Sequence, residues 1–257
     1  MLTKNKKKYL VGDIGNTFTK LSLLNQDYKI IKSYNIKTVK LNSKKINSVF
    51  FQKFLKNKKI NKNILFSSVV PKTYKNIKFF LNKKNFISYE IKELKENQII
   101  KIKIKNTKQV GSDRIANAVG SYYEYKKNCL IIDFGTATTF DVIKNGIYEG
   151  GVIAPGVNLS IKNLSQATAL LPLINLKIHQ KSYGKNTIEA LNAGFVWGYE
   201  GLINNIIDKI ISRSKIKYKI LLTGGYANFF NKMIKKKVVI DQDITIKGIA
   251  NAYKELT

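Results

Sequence analysis

Three short blocks combine carboxylates, hydroxyls and glycines at strand ends. The first is Asp13-Ile14-Gly15-Asn16-Thr17-Phe18-Thr19-Lys20. A tight hairpin there turns backbone N–H groups, two hydroxyls and a lysine toward one point, a convergence that suits phosphate oxygens. Asp13 at the strand end is a candidate ligand for a hydrated Mg²⁺ bridging those phosphates. The alternative is a plain Gly-Asn hairpin with a solvated lysine. The spaced glycines of a P-loop are absent, so this is a different kind of phosphate cradle. The second block, Asp133-Phe134-Gly135-Thr136-Ala137-Thr138-Thr139, repeats the theme, with Asp133 as a candidate cation ligand. The third, Leu221-Leu222-Thr223-Gly224-Gly225-Tyr226-Ala227, runs a strand into glycines that let a backbone approach a flat ring.

Gly111-Ser112-Asp113-Arg114 opens a helix, with Ser112 as candidate N-cap. Asp113 there is either a first-turn charge matched to the helix dipole or a general base for a hydroxyl. Arg114 is one of two arginines among 46 basic residues, which favours a fork that grips an anionic group bidentately. Gly150–Gly156 reads as a strand and a Pro-Gly turn into a helix, structural or a pocket wall. Thr187 reads as an N-cap, His179 as a surface or loop residue, and Trp197 as core.

Local patterning predicts the elements that carry these groups. Tyr9–Asp13, Phe18–Leu24 and Tyr28–Tyr34 read as strands, then a helix from Ser43 to about Asn57, a strand at Asn63–Ser67 and a helix from Pro71 to Leu81. Phe86–Tyr89 and Ile99–Ile104 are strand candidates, the second with an edge-like Lys/Ile alternation, and Ser112–Tyr125 is a helix. The pattern then restarts with strands at Cys129–Asp133, Thr138–Lys144 and Tyr148–Ala154, the last two joined by an Asn145-Gly146 turn. Thr187–Ser212 is helical, with Gly194, Gly198 and Gly201 marking close packing or a break. Tyr218–Leu222 is a strand and Ile246–Lys254 a terminal helix. Asp13 and Asp133 occupy equivalent places in two strand–turn–strand units. That repeat predicts an α/β fold of duplicated halves, 1–110 and 111–257, facing each other across an interdomain cleft that holds ligands.

Composition bounds the function less than it first suggests. The net charge is +30, but the lysines are spread along the chain among asparagines and isoleucines. This reads as a compositional bias rather than a nucleic-acid surface, which would favour arginine. No apolar run nears the roughly 20 residues of a membrane span, and the basic start lacks the long apolar stretch of a signal peptide. One cysteine, Cys129, excludes an internal disulfide and a cysteine-based zinc cluster. The expected location is cytoplasmic.

Six blocks in order, DIGNTFTK, GSDR, DFGTATTFD, GGVIAPG, GKNT and TGGYA, span residues 13–227 and resemble type III pantothenate kinase, in the acetate and sugar kinase/Hsp70/actin superfamily. The resemblance implies an actin-like (ribonuclease H-like) fold and ATP-dependent phosphorylation of pantothenate, the first step toward coenzyme A. It implies that Asp13, Ile14, Gly15, Asn16, Thr17, Phe18, Thr19, Lys20 and Thr136 contact ATP. It further implies Mg²⁺ with ATP and a monovalent cation, K⁺ or NH₄⁺, at Asp133. Gly111, Ser112, Asp113, Arg114 and Thr187 would hold pantothenate, with Asp113 accepting the proton of its primary hydroxyl. Family members are homodimers. Where the family has a Tyr-x-Asn-Pro-like stretch, this chain has Ile104-Lys105-Asn106-Thr107, so Ile104 forms an altered pocket wall. The chain also begins with about eight residues more than the family's usual start before the first strand.

Three other readings are open to the sequence: a noncatalytic regulatory module on the same fold, a nucleic-acid binder driven by charge, and a kinase for another small alcohol. Three carboxylates at Asp13, Asp113 and Asp133 speak against the first, because a noncatalytic module has no physical need of them.

Overall fold

The computed structural model describes residues 7–55, 60–178 and 182–256. His179, the expected end of the first helix near Asn57, and residues 1–6 of the basic start lie outside the described residues. By their contacts the residues gather into two units: 1–126 with 143–150 and 243–257, and 127–142 with 151–242.

The first unit opens with a meander of β1 (Lys8–Ile14), β2 (Phe18–Leu24) and β3 (Ile30–Lys37), followed by α1 (Lys44–Leu55). β4 (Ile60–Ser68), α2 (Pro71–Asn82) and β5 (Ile87–Glu90) continue it. A one-turn α3 (Glu96–Ile99), a two-residue β6 (Lys101–Ile102) and α4 (Ser112–Tyr125) complete the N-terminal stretch. The sheet order is β3-β2-β1-β4-β5, antiparallel through the meander and parallel from β1 to β5. Leu10, Ile14, Leu21, Ile64, Phe66, Ile77 and Leu81 form a dry core between this sheet and its helices.

The pattern then repeats. β7 (Cys129–Phe134), β8 (Ala137–Lys144) and β9 (Ile147–Pro155) lead to α5 (Val157–Gln166) and the 28-residue α6 (Thr187–Ser214). β10 (Lys219–Gly224), α7 (Ala227–Phe230), β11 (Val238–Ile240) and α8 (Ile244–Tyr253) follow. The second sheet runs β11-β10-β7-β8-β9-β6, with β7, β10 and β11 parallel. Apart from β6 at its edge, its order β9-β8-β7-β10-β11 matches that of the first sheet position for position. The core of the second unit is Leu130, Ile132, Phe140, Ile203, Ile207, Leu222 and Phe230.

The sequence-based boundary at 110/111 differs from the boundaries of these contact units. Helix α4 lies beyond residue 110, and α8 closes the chain, yet both count with the first unit. They pack backbone to backbone: a Cβ added at Gly248 would sit 1.8 Å from the Ala116 carbonyl oxygen, and one at Gly120 would sit 2.3 Å from that of Ile244. The far end of α8 is tied down by Tyr253, whose hydroxyl donates to the Asn63 carbonyl at 2.6 Å and whose ring meets Tyr9 and Tyr28.

Other local expectations shift for physical reasons. The third strand starts at Ile30 because Tyr28 occupies a left-handed turn. The expected strand Ile99–Ile104 shrinks to β6, since alternating lysines leave its far edge to water. The Asn145-Gly146 turn has positive φ at both positions (50° and 73°), as a tight hairpin requires. Gly194, Gly198 and Gly201 mark neither close packing nor a break: nothing lies within 4 Å of a Cβ at any of them, and α6 runs through. Trp197 is 43% exposed on α6, not core. Among the described residues no helix is long and apolar enough to cross a membrane.

Candidate active site

In open α/β sheets ligands gather at the carboxyl ends of the parallel strands. In the first unit those ends carry Asp13 on β1, Ser67 and Ser68 on β4, and Glu90 on β5. Asp13 stands opposite Lys20 on β2 and beside Ser67 on β4. The hairpin between them closes by a Gly15 N–H bond to the Phe18 carbonyl at 3.0 Å, leaving Asn16, Thr17 and Phe18 exposed. Ile14 and the Thr19 side chain are buried beneath it. Thr19 is not turned outward: its hydroxyl bonds Thr38 at 3.0 Å, and Thr38 in turn donates to the Gly15 carbonyl at 2.7 Å. Thr38 therefore braces the hairpin from within. The Lys20 ammonium donates to the Asp243 carboxylate just before α8.

Gly111, not Ser112, is the N-cap of α4; Ser112 is buried in the first turn, where its hydroxyl serves Glu90. Asp113 follows, half-buried, its Oδ1 accepting the Arg114 amide at 2.8 Å. Burial raises the Asp113 pKa above the ordinary aspartate value, while the Arg114 amide and guanidinium, its own amide and Lys92 pull it back. A Cβ on Gly111 would sit 2.5 Å from Asp113 Oδ1, so a side chain there would push the carboxylate from its place. The Arg114 guanidinium lies 5.9 Å from the centre of the Tyr148 ring, which steadies its plane. Ile104 is half-buried, with Cγ2 3.7 Å from where a Cβ on Gly150 would be. Glu90 is also held above its ordinary pKa by burial; its Oε2 accepts the Lys92 amide at 2.9 Å.

In the second unit, Gly135, Gly156 and Gly224 crowd the end of β7, which carries Asp133. A Cβ on Gly224, which has φ +83°, would sit 2.6 Å from Asp133 Oδ1. One on Gly156 would sit 2.0 Å from the Thr136 carbonyl oxygen. The Gly225 amide donates to the Phe134 carbonyl at 3.0 Å, and Thr136 itself is exposed. The Thr138 hydroxyl nearby in sequence is buried without a hydrogen-bond partner. Thr187 is exposed as the first residue of α6, capped by Asn186, whose Oδ1 accepts the Glu189 amide at 2.9 Å. It lines an apolar depression of about 380 Å³ with Leu164, Leu171, Leu191 and Phe195.

Among the described residues no three His, Cys, Asp or Glu side chains converge as a metal cluster. Sequence reading passed over Thr38, Glu90, Lys92 and Asp243. Glu90 could have been found from its place at a strand end; the others join the site only through distant contacts.

Two sheets of matching strand order, each with an aspartate at the end of its first strand and glycine turns beside it, define an actin-like α/β protein. Solved structures agree on the fold. A Baf family protein of Campylobacter jejuni, described as a candidate transcriptional activator, superposes with TM-score 0.61 at 21% identity over 96% of this chain and 98% of its own. The activator of 2-hydroxyisocaproyl-CoA dehydratase from Clostridium difficile, with bound ADPNP, gives TM-score 0.55 at 12% identity over 97% and 95%.

The sequence profile described as Type III pantothenate kinase matches residues 9–209. A type III pantothenate kinase of Pelagibacter ubique (strain HTCC1062) is 50% identical over 244 residues, covering 95% of this chain and 97% of that protein. One from Fervidobacterium nodosum is 34% identical over 249 residues, covering 96% and 97%. The chain belongs to the type III pantothenate kinase family, whose members use ATP with a divalent metal to phosphorylate pantothenate.

Proposed function

We propose the following division of labour within this ATP-dependent pantothenate kinase. Asp113 is the general base that takes the proton of the primary hydroxyl, and Gly111, Ser112 and Arg114 hold pantothenate. Arg114 grips the substrate carboxylate, a planar anion matched to its fork. The observation that carries this reading is the Asp113 carboxyl: it is half-buried at the start of α4, raised by burial, and flanked by the arginine. A raised pKa makes a carboxylate a stronger base. Ile104 lines the pantothenate pocket where relatives carry an aromatic residue.

Asp13 to Lys20 bind ATP, with Ile14 and Thr19 contributing backbone only, since both side chains are buried. When bound, Mg²⁺ neutralises phosphate charge, and Asp13 is the residue that would hold it. In the second unit, Thr136 contacts ATP, Asp133 binds K⁺ or NH₄⁺, and Thr187 touches pantothenate. Support for the cation at Asp133 comes from the close approach of the Gly224 turn, where a Cβ would sit 2.6 Å from Asp133 Oδ1.

The chain works as a homodimer in this reading. Leu170 (90% exposed), Leu173 and Ile188 are large apolar side chains of the second unit left to water, and they are the interface in this reading. It acts in the cytoplasm, where ATP is supplied. The halves 1–110 and 111–257 descend from one duplicated unit, a reading supported by the shared strand order.

The test is ADP release with ATP, Mg²⁺ and pantothenate, with and without K⁺. Turnover should require pantothenate and rise with K⁺. Asp113→Asn should lower kcat by about 10²–10⁴ while ATP binding persists. Full kcat in that variant would overturn the assignment of the base.

A further inference from the structure

The Lys20–Asp243 pair joins residues 223 positions apart. Lys20 closes the hairpin block that begins with Asp13, and its ammonium is mostly shielded, with 23% of the side chain exposed. Asp243 immediately precedes α8 yet makes no side-chain capping bond to that helix. Its contact with Lys20 is therefore not a by-product of helix capping.

The position of Asp243 is unusually well determined. Helix α8 is pressed onto α4 at Gly248 and Gly120, where backbone meets backbone. The Thr245 hydroxyl, two residues after Asp243, donates to Asn117 Oδ1 at 2.6 Å. The Lys247 amide closes the first turn on the Asp243 carbonyl at 2.8 Å, and Tyr253 pins the other end. A helix clamped at both ends and along its length holds the Asp243 carboxylate against the Lys20 ammonium.

We propose that Asp243 is a positioning residue for Lys20, holding the ammonium ready for the phosphates of ATP. The proposal rests on the reading of Asp13–Lys20 as the ATP block. A lysine side chain carries about 2 kcal/mol of rotamer entropy, and fixing it beforehand removes that ordering cost from nucleotide binding. An ammonium has three donors, so a bond to Asp243 does not preclude a phosphate oxygen. The scarcity of acid sharpens the point: with 16 acidic against 46 basic residues, most lysines have no carboxylate to hold them.

The experiment compares full-length Asp243→Asn, Asp243→Glu, Lys20→Met and the Asn/Met double variant by KM for ATP, KM for pantothenate and thermal melting. Asp243→Asn should raise KM for ATP about three- to tenfold, the range of a partly exposed ion pair, and leave KM for pantothenate unchanged. Asp243→Glu should recover part of the loss. Lys20→Met should raise KM for ATP further, and adding Asp243→Asn to it should do nothing more, because the carboxylate would have nothing left to position. A purely structural role would move both KM values, since α8 is clamped to the helix that carries Asp113, and that result overturns the proposal. An unchanged or lowered KM for ATP in Asp243→Asn, with Lys20→Met impaired, also overturns it and leaves the ATP block standing. If Lys20→Met itself binds ATP normally, the reading of the block fails, and the proposal with it.

Discussion

Replacing Gly248 by alanine adds one methyl group at the tightest helix contact in the first unit. The new Cβ would lie 1.8 Å from the Ala116 carbonyl oxygen, 2.6 Å from its carbon and 2.9 Å from the Gly120 nitrogen. An ordinary C···O approach is about 3.3 Å, so α4 and α8 must separate by more than about 1 Å. All three neighbours are backbone, and none can rotate aside. Overpacking of this kind costs about 1–3 kcal/mol, and here the upper part of that range applies because the separation also loosens Ile244, Ile249 and Val119, which are fully buried. Alanine returns about 1 kcal/mol of helix propensity. The net loss is about 2 kcal/mol, or roughly 4–8 °C in Tm for a chain of this size. Asp113 sits one turn before Ala116 on α4, so kcat should also fall, by up to about 100-fold for a 1 Å displacement. The assay is a thermal melt beside steady-state kinetics. Gly201→Ala is the control: nothing lies within 4 Å of its Cβ, and it should gain stability, by up to about 1 kcal/mol. A Gly248→Ala protein that melts like wild type with unchanged kcat would refute the close-packing argument.

Two further outcomes follow from the site and one from the surface. Asp113 must be ionised to act as a base, so kcat/KM should fall as pH drops through its raised pKa, placing the acid limb above the ordinary aspartate value of about 4. Lys92→Gln removes a positive charge that lowers that pKa and should move the limb to higher pH; a limb that moves downward contradicts the assignment. Because the folded state favours the protonated form, the stability linked to Asp113 is present below the unfolded pKa and is lost as pH rises through the raised one. Asp113→Asn should therefore melt no lower than wild type at pH 7, and a large drop in Tm would mean the carboxylate is structural. If the proposed homodimer forms through this surface, wild type should sediment as a dimer and Leu170→Asp with Ile188→Asp as a monomer; a wild-type monomer, or a dimeric variant, contradicts that proposal.

Much of the local structure was legible in residue order. Hairpins at Gly15-Asn16 and Asn145-Gly146, the helix Ser112–Tyr125, the long helix from Thr187, and the recurrence of aspartate–glycine–threonine at two strand ends all follow from local patterning. A turn, a cap or a 3.6-residue period involves neighbours a few positions apart. Where a local rule misplaced a detail, the surroundings in the folded chain decided it. Ser112 was expected to cap α4, but its hydroxyl serves Glu90. The glycines of α6 read as packing glycines, yet they face open space, while Gly120 and Gly248 do the close packing.

The sequence by itself determined which residue types end the strands, where the polypeptide turns, and that Asp13, Asp113 and Asp133 are the carboxylates to consider. It also carried the family through six ordered blocks. Tertiary structure alone decided that the last helix returns to the first unit, that Asp243 meets Lys20, that burial rather than charge dominates Asp113, and that Trp197 is exposed on the helix surface. The physical reason is one of range. Periodicity says which face of an element is apolar but not which partner covers it, and a pKa depends on the sum of desolvation and charges brought together from elements far apart in the chain.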